Sequence, residues 1–354
     1  MTIYWLLFFF AAIMALTYRV DSRARNHVSG QEVGYLVFLV FYSLVGLLRY
    51  QIGGDWMTYD WMFIDIQGSS LEYSLTRTDP AFGLLMWISA QLGTGVYLVN
   101  GVACLILIYG ITKVARKTRE PWLAIVAAVP YILIVVGLGY VRQAAAIGMI
   151  LLAMAAIERG SIITVVTSLI VAAGFHSTAV IFFPVLAIPL IWKRGNLSLV
   201  IFFVSLMTYY YFLSDKVGNL ESGYLGSEYD SGGALVRLSI NAILSLIIIL
   251  RWKYFCAGKV VRPIWFGIAV VNILLMGALY ASPSSTAVDR VGLYFSIVQI
   301  AFFGEINNIL GSSYKHIYFG RFLSIAFSAS VMVIWLFFAT HSWLWVPYDS
   351  IFSI

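Results

Sequence analysis

Residues 139–146, Gly-Tyr-Val-Arg-Gln-Ala-Ala-Ala, run on without a further charge to Ile157 and stop at Glu158-Arg159. An apolar run of this length reads as a membrane-spanning helix, here with Arg142 planted at one end. An arginine in that position is costly unless something anionic meets it. The rest of the chain agrees with the membrane reading. Of 354 residues 61% are hydrophobic and 11% charged, and mean hydropathy is +0.91. A soluble domain of this size could not bury so much apolar surface. The expected fold is all-α, a polytopic helical membrane protein.

Outward from that helix, the chain divides into about twelve transmembrane segments: 3–18, 33–49, 95–112, 121–138, 141–157, 160–175, 177–192, 197–213, 234–250, 263–281, 288–306 and 320–338. Twelve spans of ~20 residues use ~240 positions, which leaves short loops and no room for a folded soluble domain. No internal repeat or linker is visible, so 1–354 reads as a single transmembrane domain. The first segment lacks a basic stretch before it and is followed by Arg19, Arg23 and Arg25. It therefore reads as a span, not a cleaved leader.

Alternate loops differ in charge. One set (19–32, 113–120, 158–159, 193–196, 251–262, 307–321) holds 16 Lys and Arg, and the rest of the chain holds six. The positive-inside rule makes the first set cytoplasmic and both termini external. Acidic residues lean the other way, with 11 on the external side and five inside. They do not set topology, so their excess outside marks where polar chemistry is concentrated, in loops 50–80 and 214–236. The net charge of +6 follows from the basic loops and carries no nucleic-acid signal.

Pro80–Leu92 is too short to cross, and Gly93-Thr94-Gly95 ends it. It reads as a re-entrant or interfacial helix opening after Asp79, which is placed to cap it. The aromatic stretch before it contains Trp56, Tyr59, Asp60 and Trp61. It fits a belt at headgroup level, or a platform on which sugar rings stack while carboxylates accept their hydroxyls.

Six residues outside the basic loops carry the remaining cations, and five of them sit near external helix ends: Arg49, Arg77, Arg142, Arg237 and Arg290. Arginine suits bidentate phosphate contact and stays charged when partly desolvated. A pairing with a nearby carboxylate, such as Asp289 with Arg290, is the plainer alternative for any one of them. In Arg49-Tyr50-Gln51-Ile52-Gly53-Gly54-Asp55 the glycines permit a tight turn, and Asp55 is either a general base or a partner for Arg49. His176, in Gly174-Phe175-His176-Ser177, is the only histidine within the apolar body; a neutral imidazole there could accept a hydroxyl proton. A structural hydrogen bond would equally account for it. Ser177 lacks the surroundings of a nucleophile. The loop 218–233, with Tyr224, Glu228, Tyr229 and Asp230, reads as a mobile acceptor-side loop. Ala144-Ala145-Ala146 with Gly148 reads as close helix packing. No Walker A sequence, no dinucleotide fingerprint and no metal-ligand spacing is present, and Cys104 and Cys256 are placed for neither a disulfide nor a metal.

These pieces in this order resemble the EpsG-like, Wzy-type polymerases of O-antigen and exopolysaccharide. The resemblance rests on Arg49…Gly53-x-Asp55…Tyr59, Asp79-Pro80, Tyr140-x-Arg142-Gln143, Phe175-His176-Ser177 and Arg290 with Tyr294-Phe295, over roughly residues 35–310. It implies a glycosyltransferase of the bacterial inner membrane with its site facing the periplasm. That enzyme would join oligosaccharides carried on undecaprenyl pyrophosphate without metal, nucleotide or other cofactor. Arg142 and Arg290 would hold pyrophosphate, with Arg49, Arg77 and Arg237 assisting. Asp55 or His176 would be the base, and Asp60, Asp79, Tyr59, Trp56 and Trp61 would shape the sugar site. A flippase and a chain-length regulator are the implied partners. A transporter of the same glycolipid and a membrane O-acyltransferase using His176 are the rival expectations.

Overall fold

A computed structural model describes residues 1–18, 28–191, 194–212, 232–282, 284–311 and 314–352. Most of loop 214–236, with Tyr224, Glu228, Tyr229 and Asp230, lies outside the described residues. The helices are α1 (Thr2–Thr17), α2 (Val28–Leu48), α3 (Trp56–Ile66), α4 (Leu71–Arg77), α5 (Pro80–Gln91) and α6 (Gly95–Ala115). Then come α7 (Pro121–Gly139), α8 (Val141–Arg159), α9 (Ile162–Phe175), α10 (Ser177–Ala187), α11 (Gly195–Phe212) and α12 (Ala234–Leu250). The chain ends with α13 (Arg262–Ala281), α14 (Ser285–Phe295), α15 (Val298–Gly304), α16 (Ile306–Leu310) and α17 (Tyr314–Phe338). Among the described residues the one strand pairing is a two-residue ribbon in which β1 (Arg49–Tyr50) pairs antiparallel with β2 (Asp349–Ser350). It ties the C-terminal segment to the turn after α2.

Among the described residues six helices are long and apolar enough to cross a membrane, and α14 with α15, bent by 41°, makes a seventh. Five more are apolar but shorter: α1, α9, α10, α11 and α12. The difference from about twelve full spans has a plain cause. A helix of 11–17 residues rises roughly 16–26 Å, short of the ~30 Å hydrocarbon layer.

Helix α7 is the axis of the bundle and is buried along its whole length among α1, α6, α8, α15 and α17. It begins at Pro121, which suits a first helical position. Pro130 then withholds an N–H, and Val129–Val136 widens into a π-helix. The carbonyls that this disturbs are met from outside the helix. Tyr42 Oη donates to Leu133 O at 2.8 Å and Trp345 Nε1 to Ile134 O at 3.1 Å.

Small residues set the spacing of α8 against α6. A Cβ on Gly148 would sit 2.6 Å from Ile106 O, and one on Gly110 2.4 Å from Gly148 O. The two backbones therefore touch, and α8 has little freedom to tilt. The basic connections gather at one pole of the bundle, where Glu32 meets Arg116, Glu120 meets Arg321, and Glu158 meets the backbone of 259–261. The ends carrying Gly53, Gly139 and His176 form the opposite, site pole.

Candidate functional site

The turn after α2 is pressed onto the end of α7. Gly53 has φ +102°, and a Cβ there would lie 2.3 Å from Leu138 O, so both conformation and space require glycine. Its N–H donates to Leu344 O at 2.8 Å, and Asp55 N–H donates to Gly139 O at 3.3 Å. Asp55 thereby lies beside the α7–α8 turn that carries Tyr140 and Arg142. Tyr59, one helical turn on, donates its hydroxyl to Asp55 Oδ2 at 3.1 Å.

Asp79 precedes Pro80 at the start of α5, yet its side chain does not cap that helix. It turns instead toward the break between α9 and α10. Oδ1 accepts from Ser177 N–H at 3.3 Å, while Oδ2 faces His176 Nδ1 and Arg142 Nη1, each at 3.3 Å. The carboxylate is 1% exposed, whereas the side chains of His176 and Arg142 keep 15% and 23% of their surface. The Arg142 guanidinium stands over the rings of Tyr59 and Phe82 at 5.9 and 6.0 Å, and its Nε–H has no acceptor among the described residues. Gly174 makes this convergence possible, since a Cβ there would press on Ala81 of α5 at 3.0 Å.

His176 lies in the hairpin between α9 and α10, outside both helices, with extended backbone. Burial pushes its pKa below the ordinary 6.5; the Asp79 hydrogen bond opposes this, and the charges of Arg142 and Arg290 push it down further. The imidazole is therefore neutral near pH 7. With Nδ1 turned to the carboxylate, Nε2 is left as the proton acceptor.

On the other side of Tyr140 lies a cavity of about 580 Å³ between α7, α12, α14, α15, α17 and residues 339–345. Arg237, Asp289, Arg290, Tyr131, Tyr140 and Trp345 are among its walls. Asp289 is held by Arg237, whose Nε donates to Oδ1 at 2.9 Å. Arg290 stands over the Tyr140 ring at 6.0 Å. The Tyr140–Arg142 turn thus separates two neighbouring charged spaces, one around Asp79 and one around Arg290.

Not every sequence candidate reaches these spaces. Arg49 is completely buried under the turn, where it donates to Ile52 O and to Asn100 Oδ1 (2.8 Å) and stacks 5.0 Å from Trp56. Trp56 is itself packed among Phe63, Val96, Tyr50 and Tyr97. Arg77 is bound to Asp65 on the exposed α3–α4 surface, which holds Asp65 below the usual carboxylate range. Asp60 is half-buried and Trp61 exposed. Thr178, whose hydroxyl is 3.0 Å from that of Tyr294, and Gln299, which donates to Asn241 at 2.9 Å, are near the site but were not singled out. A glutamine inside the apolar run 291–303 was the available signal. Trp345 gave none. Among the described residues no three His, Cys, Asp or Glu side chains group as a metal site.

The sequence profile of the EpsG family matches residues 33–350, from α2 to β2. This chain belongs to the EpsG family. The family comprises polysaccharide polymerase-like membrane proteins, and with its apolar helices the chain is a multi-pass membrane protein consistent with that role. No curated protein and no solved structure gives a significant match.

Proposed function

We propose that this EpsG-family protein is a glycosyltransferase that polymerises oligosaccharide repeat units carried on undecaprenyl pyrophosphate. The observation that carries this reading is one buried carboxylate, Asp79, joining a neutral imidazole to a guanidinium in a partly open cleft. His176 Nε2 takes the proton of the acceptor hydroxyl. The acceptor oxygen bonds to C1 of the donor sugar as the C1–O bond to phosphate breaks. The bonding pair leaves on undecaprenyl pyrophosphate. Arg142, assisted from across Tyr140 by Arg290 and Arg237, meets the charge that grows on the leaving group, so it stabilises the transition state more than the ground state. A group that is already a pyrophosphate ester needs no nucleotide, and arginines supply the neutralisation that a metal would give.

Asp55, held by Tyr59 beside the turn that carries Tyr140 and Arg142, is the runner-up base. Asp60, half-buried, and Trp61, exposed, follow on α3 and suit the growing glycan. Arg49 and Trp56 act from below, by fixing the turn that positions Asp55, and Arg77 by fixing α3 to α4. The positive-inside rule puts the basic pole in the cytoplasm of a bacterial inner membrane and the site pole outside. The six long helices, the bent pair and the five short apolar helices coincide with the twelve segments read from the sequence, and twelve crossings is the topology that goes with this reading. The short ones require a thinned or protein-lined path.

A transporter reading has one observation in its favour, the large charged cavity beside the site. One experiment separates the two. Purified protein is reconstituted with its native lipid-linked repeat unit, EDTA and no nucleotide, and the products are run on a gel. A ladder of polymer establishes the glycosyltransferase. Movement of the lipid between leaflets without a ladder establishes the transporter.

A further inference from the structure

Two turns carry the charged residues of the site, 53–55 with Asp55 and 139–142 with Arg142, and both abut one edge of the Trp345 indole. A Cβ on Gly139 would overlap its Cζ2, and one on Gly54 would touch its Cη2 at 3.6 Å. Each turn thus presents bare backbone to the ring. With no side chain on either glycine to give way, a change in the ring is passed to the main chain. A direct tie between the turns, Asp55 N–H to Gly139 O at 3.3 Å, is long for a hydrogen bond and sets their spacing only loosely.

The ring itself is fixed from several sides. Its Nε1 donates to Ile134 O of the π-helix at 3.1 Å, which settles its orientation, since a flipped indole would strand both groups. The Trp345 carbonyl accepts from Tyr4 Oη of α1 at 2.7 Å, and Leu344 O accepts from Gly53 N–H at 2.8 Å. Trp335 of α17 stands edge-on to the ring at 4.9 Å. Beyond it Tyr348 Oη donates to Val45 O at 2.8 Å, Ile351 N–H donates to Leu48 O at 2.9 Å, and β2 pairs with β1. Chain ends fray unless they are tied down, and this one is tied on both sides of Trp345. The indole is 1% exposed, so it offers a ligand almost no surface. We infer that Trp345 is a positioning residue: its ring edge sets where the Tyr140–Arg142 turn stands against the Asp55 turn, without meeting the reacting atoms. The inference rests on the proposed reading for what those turns do.

The test uses the full chain in lipid nanodiscs, as Trp345→Ala, Trp345→Phe, Gly139→Ala and the pair Gly139→Ala with Trp345→Phe. Transfer is measured per folded molecule over a range of the native lipid-linked repeat unit, and amide hydrogen exchange is read by mass spectrometry. Trp345→Ala should lower kcat by about 10²-fold, the usual consequence of a displacement near 1 Å, with KM almost unchanged. Trp345→Phe keeps a ring and should lose less. Gly139→Ala should also lower kcat, because its methyl meets the indole. The pair should recover part of that loss, since phenylalanine lacks the edge that Gly139 accommodates. Exchange in Trp345→Ala should quicken at the Gly53 and Asp55 amides while the α6–α8 contact stays protected. A raised KM with kcat retained would make Trp345 a substrate contact and overturn the proposal. Lower melting with full rate per folded molecule would make it packing alone and overturn it too, as would a pair no faster than Gly139→Ala. Wild-type protein that forms no ladder removes the polymerase reading, while the exchange pattern still decides whether Trp345 sets the two turns.

Discussion

At the basic pole Glu120 is enclosed on every side. Arg321 Nη2 donates to both its oxygens at 3.1 and 3.2 Å, Asn307 donates at 2.6 Å, and Arg321 also reaches Tyr18 O at 2.7 Å. Glu158 likewise takes three backbone N–H groups of the α12–α13 connection at 2.9–3.0 Å, and the space beside it, about 10 Å³, has room for little more than one water. At the site pole Asp79 is just as buried, but its two partners, the His176 imidazole and the Arg142 guanidinium, are not, and 580 Å³ of open cavity lies beyond Tyr140. Carboxylates at the two poles thus do different work. One set is satisfied within the protein and fastens helix ends; the other holds side chains at the edge of a space that a ligand can fill.

The strongest way to break this contrast is Arg142→Ala. Loss of one fixed donor to a developing anion should cut the transfer rate by ~10²–10³ while the protein still folds. If polymer yield were unaffected, the open pole would not be the reacting one. Next in size is the closed pole. Glu120→Ala strands Arg321 in a dry site and should cost about 3–5 kcal/mol, read as a loss of folded protein in detergent. Replacing both partners together, with Glu120→Leu and Arg321→Met, should restore part of the folded yield and leave polymerisation intact, since it removes the stranded charge but leaves Asn307 Nδ2 and Tyr18 O without these partners.

A smaller effect is expected in the pH profile. Transfer that uses neutral His176 should be flat above 6.5 and decline only below the depressed pKa of the imidazole. The Asp79 hydrogen bond raises that pKa, so Asp79→Asn should shift the acid limb to lower pH while reducing the plateau. An acid limb that stays in place would point to Asp55 as the base. Smallest of all, Arg77→Ala should lower the transfer rate by less than about twofold, because the Asp65 partnership that fixes α3 to α4 is exposed to solvent and weak.

How much of this was legible beforehand depends on the kind of signal. Membrane segments announce themselves by composition, and each of the twelve apolar stretches is helical. Their ability to cross is less legible, since α10 passes from 3₁₀ to α geometry at Phe183-Pro184 and ends at Ala187 after few residues. Clustering of Asp79, Arg142 and His176, which are 63 and 97 positions from Asp79 along the chain, is not periodic information. It became visible only as an order of short motifs on one side. Five external arginines looked alike in sequence, but Arg49 is sealed beneath a glycine turn and Arg77 faces solvent, because depth is set by neighbours such as Asn100 and Trp56. Nothing in residues 339–345 foretold that Trp345 would complete both a π-helix and a cavity wall.

The most direct measurement applies the same chemical change to both poles, Asp79→Asn and Glu120→Gln, with melting temperature and polymer ladder recorded for each. Asparagine cannot hold His176 and Arg142 as a carboxylate does, but both remain partly hydrated. The account therefore predicts a large fall in rate for Asp79→Asn with little change in melting. For Glu120→Gln it predicts lower melting, with full rate per folded molecule. The reverse pattern, a stable but inactive Glu120→Gln and an unstable but active Asp79→Asn, would contradict the assignment of chemistry to one pole and fastening to the other.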